Sequence, residues 1–260
     1  KSTPGFVGAD IENTVNEAAI FAARNNQKSI SMRDMESAIE RVVLGPERTS
    51  RILTERERKI TAYHEAGHGV VSRAQPEGEP VRNITIIPRG IAAGLTWYLT
   101  TDEDQRLATK SKLQARLAAM LGGRAAEELA FDKGEVTTGA GGDIQQVASM
   151  ARQMVTRFGM SNLGPIALEG GNQEVFVGRD LMTRSEVSDS ISKQIDESVR
   201  IMVKECYKET YDLVNKNREA MDKIVDLLIE KETLDGDEFV SILSKFTKIP
   251  EKERTPQLLS

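Results

Sequence analysis

The chain has 260 residues, a formal net charge of −5, and a hydrophobic fraction of 39%. This apolar fraction is sufficient for a packed core, and the acidic balance excludes a protein that binds nucleic acid through bulk positive charge. The single cysteine, Cys206, excludes an internal disulfide framework and is typical of a reducing compartment.

The first segment, residues 8–44, predicts two amphipathic helices. Asp10 is the expected N-cap of the first helix, and Ser31 with Asp34 forms a capping-box pattern at the start of the second. Gly45 follows the second helix as either a hinge between domains or a simple C-cap. Because two short helices bury too little to be stable alone, and because the chain starts with Lys, we expect a piece of a longer protein.

The next helix carries both histidines of the chain. Thr54 and Glu57 form a capping box at its start, and it is predicted to run to about Ala74. Two β-rich runs, residues 84–87 and 95–99, follow and predict a small hairpin.

The remainder of the chain predicts helices separated by one glycine-rich loop, residues 133–142. Thr101 with Asp104 is the expected cap of a long helix before this loop, and the buried face of that helix is marked by Leu113, Leu117 and Leu121. A further helix is expected over residues 143–158, and more helices follow to the C-terminus. The predicted fold class is mostly α with a small β element, and no apolar run is long enough to cross a bilayer.

Residues 64–68 read His64-Glu65-Ala66-Gly67-His68. Residues four apart on an α-helix share a face about one turn apart, so the two imidazoles can bind a single cation. Glu65 is rotated away from that face by one residue, so it can stand beside the metal and deprotonate a water molecule. The pattern predicts a zinc hydrolase with Glu65 as the general base. The alternative is a core helix with two hydrogen-bonded histidines, and it predicts no particular spacing.

Catalytic zinc usually has three protein ligands, and this chain has no third histidine. Glu128 continues the leucine stripe seven residues on, so we expect it to point inward, and Asp143 closes the glycine-rich loop. Glu128 could instead pair with Arg124, and Asp143 could be a plain N-cap. The pattern leaves the two carboxylates equally open as third ligand, whereas Cys206 lies in a distant amphipathic helix typical of a core.

Blocks of sequence along nearly the whole chain resemble the FtsH family of AAA-type membrane-anchored metalloproteases. They are Thr3-Pro4-Gly5-Phe6-Val7-Gly8-Ala9-Asp10, Asn16-Glu17-Ala18-Ala19, Ala62-Tyr63-His64-Glu65-Ala66-Gly67-His68, Ile87-Pro88-Arg89-Gly90, Leu121-Gly122-Gly123-Arg124-Ala125-Ala126-Glu127-Glu128 and Thr138-Gly139-Ala140-Gly141-Gly142-Asp143-Ile144. The resemblance implies one Zn²⁺ per subunit, held by His64, His68 and Asp143. It makes Glu128 a candidate for orienting a ligand histidine.

The resemblance also implies a domain division. Residues 1–44 would be the C-terminal part of an AAA helical lid subdomain, 45–51 a linker, 52–250 the zinc metalloprotease domain and 251–260 a tail. The phosphate-binding pattern G-x-x-x-x-G-K-[ST] is absent from the sequence, so we expect ATP to be used by the parent protein and not bound productively by this chain.

The activity implied by the resemblance is that of a zinc-dependent endopeptidase within an ATP-dependent, processive protease that degrades unfolded membrane and soluble proteins. We expect a homohexamer to which the C-terminal helices contribute contacts, or else those helices form only a self-contained core. Membrane anchoring would come from a segment outside this chain, with this soluble part facing the bacterial cytoplasm or an equivalent organelle compartment. No nucleic-acid partner is expected.

Two details of the mechanism remain open at the level of sequence. An edge strand at Asn83–Ile87 can pair with an extended peptide substrate, although an ordinary internal strand fits the pattern equally well. Tyr63 could stabilise the oxyanion, or it could be a packed aromatic residue.

Two other function classes compete with the protease. A non-catalytic zinc-stabilised module normally needs four protein ligands and favours thiolates, which one cysteine cannot supply. An ATPase fragment is disfavoured because the phosphate loop is missing.

Overall fold

The computed structural model describes residue 3 and residues 5–46, 53–89, 92–99, 107–131, 133–168 and 187–250. Within these residues the chain forms eight α-helices and a three-stranded antiparallel sheet, so the predicted fold class, mostly α with a small β element, is confirmed. The described residues form two compact units. The first lies within residues 1–66, 79–107 and 219–246, and the second lies within residues 67–78, 108–218 and 247–260.

Helices α1 (Gly8–Arg24) and α2 (Met32–Leu44) pack against each other in the first unit. Helix α1 begins before the predicted cap. The carboxylate of Asp10 accepts a hydrogen bond from the Val7 N–H at 2.9 Å, and Val7 is the N-cap. The prediction that Asp10 is the N-cap is therefore wrong, because Asp10 satisfies the first backbone donor from inside the first turn.

Both ends of α2 follow the sequence pattern. The Ser31 hydroxyl accepts the Asp34 N–H at 3.2 Å, and the Asp34 carboxylate accepts the Ser31 N–H at 2.8 Å, which confirms the capping box. Gly45 is the C-cap, with φ +82° and an N–H that donates to the Arg41 carbonyl at 3.0 Å. The C-cap interpretation is confirmed, and the hinge stays a prediction. Residues 47–51 of the predicted linker lie outside the described residues.

The sheet has the order β2-β1-β3, with β1 at Val81–Thr85, β2 at Leu95–Tyr98 and β3 at Thr233–Asp235. The pairing of β1 with β2 confirms the predicted hairpin. Because β3 pairs with the other side of β1, the prediction of an edge strand at Asn83–Ile87 is wrong and the internal-strand alternative is correct. Among the described strands, β2 and β3 are the edges.

Most of α7 (Arg218–Lys231) and all of α8 (Gly236–Leu243) lie in the first unit. Helix α8 packs against β1 and β3. Fully buried apolar side chains of this unit include Ile84, Met221, Ile224, Leu228, Leu234 and Phe239.

The second unit is built on α4 (Lys110–Ala130), which packs against α5 (Gly141–Thr156) and α6 (Asp189–Lys216). The predicted leucine stripe of α4 is buried, as expected. The Thr109 hydroxyl caps α4 by accepting the Lys112 N–H at 3.2 Å. The predicted cap at Thr101 and Asp104 lies outside the described residues.

The predicted glycine-rich loop after α4 contains two short 3₁₀ turns, Lys133–Glu135 and Thr138–Ala140. The tail, residues 251–260, lies outside the described residues, and the predicted domain boundaries stay predictions.

Candidate metal centre

Helix α3 (Glu55–Arg73) carries both histidines, as the sequence predicts. The Thr54 N–H donates to the Glu57 carboxylate at 2.8 Å, and the Glu57 N–H donates to the Thr54 hydroxyl at 3.2 Å. This capping box satisfies backbone donors that have no partner in the first turn of a helix. From that start α3 continues without interruption through residues 64–68.

Helices α3 and α4 approach each other closely at two glycines in the second unit. A Cβ atom on Gly67 would lie 2.4 Å from the Gly122 carbonyl oxygen, and one on Gly122 would lie 2.6 Å from the Gly67 carbonyl oxygen. Neither position can therefore hold a side chain without moving a backbone. This contact places the next residue of α3, His68, against the backbone of α4.

The hydrogen bonding of His68 fixes which of its nitrogens is available to a metal. His68 is 8% exposed, and its Nδ1 lies 2.7 Å from the carbonyl oxygen of Ala119. A carbonyl only accepts, so Nδ1 carries the hydrogen, and in the neutral ring the lone pair is on Nε2. Metal-binding histidines commonly have their second nitrogen held in this way.

The Nε2 atom of His68 lies 3.4 Å from Oδ2 of Asp143. Two acceptor atoms at this separation repel each other unless a cation lies between them. Two ligand atoms bound at about 2.0–2.1 Å to a tetrahedral zinc ion are about 3.3–3.4 Å apart, which matches this distance. Asp143 is the third residue of α5, whose N-cap is Ala140, so the alternative in which Asp143 is a plain N-cap is wrong.

His64 brings a third donor to the same place. One ligand atom each from His64, His68 and Asp143 lie within 4.8 Å of one another. A proton could bridge only two of these atoms, whereas all three can bind one divalent cation. The donor set of two imidazoles and one carboxylate fits zinc and leaves a fourth coordination position for a water molecule or a substrate.

Glu127 supports the loop that leads to Asp143, and the sequence reasoning missed it. Its side chain is 1% exposed, and its carboxylate accepts the Thr137 N–H at 2.8 Å. Arg124 donates to the Thr137 carbonyl at 3.5 Å, so both backbone groups of Thr137 are held from α4. The helical period could have indicated that residue 127 is buried, because it lies two heptads after the buried Leu113.

Glu65 lies inside the first unit and is held by strand β2. Its side chain is 6% exposed, and the Thr96 hydroxyl lies 2.8 Å from its Oε2 and 2.9 Å from its backbone carbonyl oxygen. Strand β2 comes this close because residue 94 has no side chain: a Cβ on Gly94 would lie 2.6 Å from Thr61 Cγ2 and 2.9 Å from Glu65 Cγ.

Two known protein-family profiles match the chain. Residues 51–242 match the sequence profile of peptidase family M41, and residues 1–37 match that of the AAA+ lid domain. The chain belongs to peptidase family M41.

Relatives of this M41 chain carry the name of the FtsH proteases. It is 48% identical to the ATP-dependent zinc metalloprotease FtsH of Thermotoga maritima over 254 residues, which are 96% of this chain and 41% of the relative. It is 44% identical to the protein of the same name from Synechococcus over 263 residues, which are 100% of this chain and 41% of the relative. A chloroplastic ATP-dependent zinc metalloprotease FTSH 2 of Oryza sativa is 46% identical over 256 residues, covering 98% of this chain and 37% of that protein.

The predicted membership of the FtsH family is thus confirmed, and the matched region is the zinc metalloprotease domain of an FtsH-type enzyme. The chain spans about two fifths of the length of the curated relatives it matches.

In this M41 domain Glu128 is not placed as predicted. It is half-buried, and its carboxylate accepts a hydrogen bond from the Tyr207 hydroxyl and lies 3.4 Å from the Lys133 ammonium. Burial, followed by this hydrogen bond, raises the pKa of Tyr207. The carboxylate of α4 that points inward is Glu127, so the structure does not support Glu128 as a group that orients a ligand histidine. The predicted pairing of Glu128 with Arg124 is also not formed, because Glu128 contacts Tyr207 and Lys133 instead.

Two other residues considered from the sequence belong to the core of the M41 domain. The Tyr63 hydroxyl donates to Asp222 at 2.8 Å, which agrees with a packed aromatic residue. Cys206 is buried, its thiol lies 3.8 Å from the Gln114 carbonyl oxygen, and burial raises its pKa to about 11. Cys206 is not a member of the candidate metal-binding cluster.

Among the described residues of this M41 chain, no helix combines the length and the hydropathy that a membrane span requires.

Proposed function

We propose that this chain is the zinc-dependent endopeptidase part of an ATP-dependent, membrane-anchored, processive protease. His64, His68 and Asp143 are its zinc ligands, and Glu65 is its general base. The main observation behind the proposal is that His68 Nε2 lies 3.4 Å from Asp143 Oδ2. The other nitrogen of the same ring, Nδ1, is hydrogen-bonded to the Ala119 carbonyl oxygen.

Bound to these three side chains, zinc would supply Lewis-acid activation of water for attack on a peptide carbonyl. The three ligands come from two helices. Helix α3 supplies the two imidazoles one turn apart, and the first turn of α5 supplies the carboxylate. The Ala119 carbonyl fixes the orientation of the His68 ring, and Glu127 fixes the backbone at Thr137 before α5.

Glu65 performs the proton transfers. Its carboxylate takes one proton from the attacking water, whose oxygen bonds to the carbonyl carbon of the substrate. Glu65 then returns that proton to the nitrogen of the leaving amine as the C–N bond breaks. The second proton of the water passes from the new carboxylic acid to the amine, so the products are a carboxylate and an ammonium group, and Glu65 ends in its starting ionised state.

We place the peptide substrate beside strand β2. Strand β1 is paired on both sides, whereas β2 has one unpaired edge among the described strands. Main-chain hydrogen bonds to an edge strand recognise an extended peptide with little regard to its side chains. Such weak preference suits an enzyme that degrades unfolded membrane and soluble proteins.

ATP hydrolysis, membrane anchoring and assembly belong to the longer protein in this proposal. The relatives are named ATP-dependent zinc metalloproteases, and this chain covers 41% of the first two. The matched lid segment, residues 1–37, would lie at the end of the ATPase module. We propose a homohexamer whose ATPase module threads polypeptide towards the zinc sites, on the cytoplasmic side of a bacterial membrane or in an equivalent organelle compartment.

A metal-stabilised module without catalytic activity is the alternative function. It is disfavoured because structural zinc sites normally have four protein ligands, whereas the cluster formed by the described residues has three. It also gives no reason for a buried carboxylate to lie next to a ligand on the same helix.

Hydrolysis of denatured casein by the zinc-loaded protein tests the proposal. We expect activity that a zinc chelator abolishes and that added zinc restores. Glu65→Gln should retain one zinc per chain and lose at least about 100-fold in rate, because the general base is removed and the ligands are kept. Chelator-insensitive cleavage, or full activity in Glu65→Gln, would contradict the proposal.

A further inference from the structure

Thr96 is a residue to which neither the motif nor the family match assigns a role. It lies in β2, is 8% exposed, and pairs with Ile84 of β1. Its hydroxyl has one proton and faces two oxygens of one residue: Oε2 of Glu65 at 2.8 Å and the Glu65 carbonyl oxygen at 2.9 Å. A hydroxyl between these oxygens acts as a shared donor, and its bond to an ionised carboxylate is of the stronger, charge-assisted kind.

The hydroxyl is itself held rigidly. A threonine has a stiff χ1 because its Cβ is branched, and the backbone of Thr96 is fixed by pairing with β1. The absence of a side chain at Gly94 allows the strand to lie against α3, with a Cβ there only 2.9 Å from Glu65 Cγ. Glutamate, by contrast, has three side-chain torsions and needs a partner to hold its carboxylate in one place.

We propose that Thr96 is the positioning residue of Glu65. It directs the carboxylate of the general base and makes the edge strand β2 part of the catalytic apparatus. This inference rests on the function proposed above. The loss of the Thr96 hydroxyl lets the Glu65 side chain take other rotamers, so the reaction slows although the metal and the substrate still bind.

A second buried threonine of the same sheet offers a matched control. Thr85 of β1 is also buried, and its hydroxyl lies 2.8 Å from the Thr233 hydroxyl and 3.2 Å from the Glu232 carbonyl oxygen. These partners belong to the sheet and to the turn before β3, not to the candidate metal centre. Thr85→Val therefore removes a buried hydroxyl from the sheet without touching Glu65.

The experiment compares steady-state cleavage of a quenched fluorescent peptide by the zinc-loaded wild-type protein, Thr96→Val, Thr96→Ser and Thr85→Val. We expect Thr96→Val to lower kcat by about 10- to 100-fold with KM within about twofold of wild type. Thr96→Ser keeps the hydroxyl and should return kcat to within about threefold, and Thr85→Val should stay within about twofold.

Zinc affinity, measured by competition with a chromogenic chelator, is the second readout. It should stay within about twofold of wild type in Thr96→Val, because both hydrogen bonds of the Thr96 hydroxyl go to Glu65 and not to a proposed ligand. If Thr96→Val does not fold, Thr96→Ala takes its place in the same comparison.

Four results would overturn the role of Thr96. They are an unchanged kcat in Thr96→Val, no rescue by Thr96→Ser, an equal loss of kcat in Thr85→Val, or a loss of zinc affinity parallel to the loss of rate. Failure of the proposed function is distinguishable from these, because it appears as wild-type hydrolysis that survives Glu65→Gln.

Discussion

Gly67 of α3 and Gly122 of α4 lie so close together that neither position has room for a side chain. A Cβ on Gly67 would lie 2.4 Å from the Gly122 carbonyl oxygen. This backbone contact determines the position of His68, whose Nδ1 lies 2.7 Å from the Ala119 carbonyl oxygen. The position of one imidazole is therefore a consequence of two missing side chains.

The first prediction is that Gly122→Ala destabilises the protein and weakens zinc binding. The new methyl group must push α3 and α4 apart, which should lower the free energy of unfolding by about 1–3 kcal/mol in spite of the better helix propensity of alanine. Zinc affinity should fall with it because His68 moves.

Gly8→Ala is the control, since a Cβ there meets nothing within 4 Å. Urea unfolding and chelator competition measure the two effects. Equal stability of Gly122→Ala and Gly8→Ala would show that the helices do not touch at Gly122.

The second prediction concerns the neighbouring pair Glu127 and Glu128. Glu127→Ala should weaken zinc binding by about 10- to 100-fold, because the Thr137 N–H loses its acceptor and the segment before Asp143 is no longer held. Glu128→Ala removes a carboxylate that contacts Tyr207 and Lys133 and should leave zinc affinity within about threefold. Chelator competition measures the zinc affinity of both variants and shows which of the two carboxylates supports the site. A larger loss in Glu128→Ala would restore the role that the sequence first suggested for it.

The third prediction is a pH dependence caused by Cys206. Burial raises the pKa of its thiol from 9.0 to about 11, so the unfolded chain releases this proton at a lower pH than the native protein does. The contribution of the buried thiol to stability is complete below pH 9.0 and is lost as the pH rises to about 11.

The free energy of unfolding of the wild-type protein should therefore fall by about 2 kcal/mol more than that of Cys206→Ala across this interval. Urea unfolding of both proteins at several pH values measures the difference. Parallel pH profiles would mean that the thiol ionises equally easily in the native and unfolded states.

The fourth prediction is that Gly45→Ala destabilises the C-terminal end of α2. Gly45 has φ +82° and ψ 175°, a backbone conformation that is almost confined to glycine, and its N–H caps α2 through the Arg41 carbonyl. We expect a loss of about 1–3 kcal/mol in the free energy of unfolding.

Gly134→Ala, at a position where φ is not positive and a Cβ meets nothing within 4 Å, should change little and serves as the control for Gly45→Ala. Thermal unfolding followed by circular dichroism is the measurement. A Gly45→Ala variant as stable as Gly134→Ala would show that the strained conformation is not required.

Much of the helical architecture was predictable because its signals are local. The capping boxes at Ser31 and Thr54 involve residues three apart in sequence, and both are present. The shared face of His64 and His68 follows from the helical period alone. For the same reason the leucine stripe of α4 was correctly assigned to the core.

The sheet order was not predictable, because it depends on a long-range pairing. Strand β3, Thr233–Asp235, pairs with residues 83–85, and nothing in a three-residue strand marks its partner. An edge strand cannot be distinguished from an internal one until all partners are known. The prediction that Asn83–Ile87 is an edge failed for this reason.

The helical period gives a signal for burial at residue 127, but it does not show that Glu127 binds the Thr137 N–H in the following loop. The hydrogen bond from Thr96 to Glu65 was also not predictable from the sequence, because it joins a strand to a helix and no motif links the two residues.

The most direct test of the account is a crystal structure of the zinc-loaded protein with anomalous diffraction measured at the zinc edge. The account predicts one zinc peak per chain, within about 2.0–2.2 Å of a ring nitrogen of His64, Nε2 of His68 and a carboxylate oxygen of Asp143. Glu65 should lie beside the ion without binding it. A zinc ion bound by Glu128 or Cys206, or no zinc at this cluster in a fully loaded protein, would contradict the account.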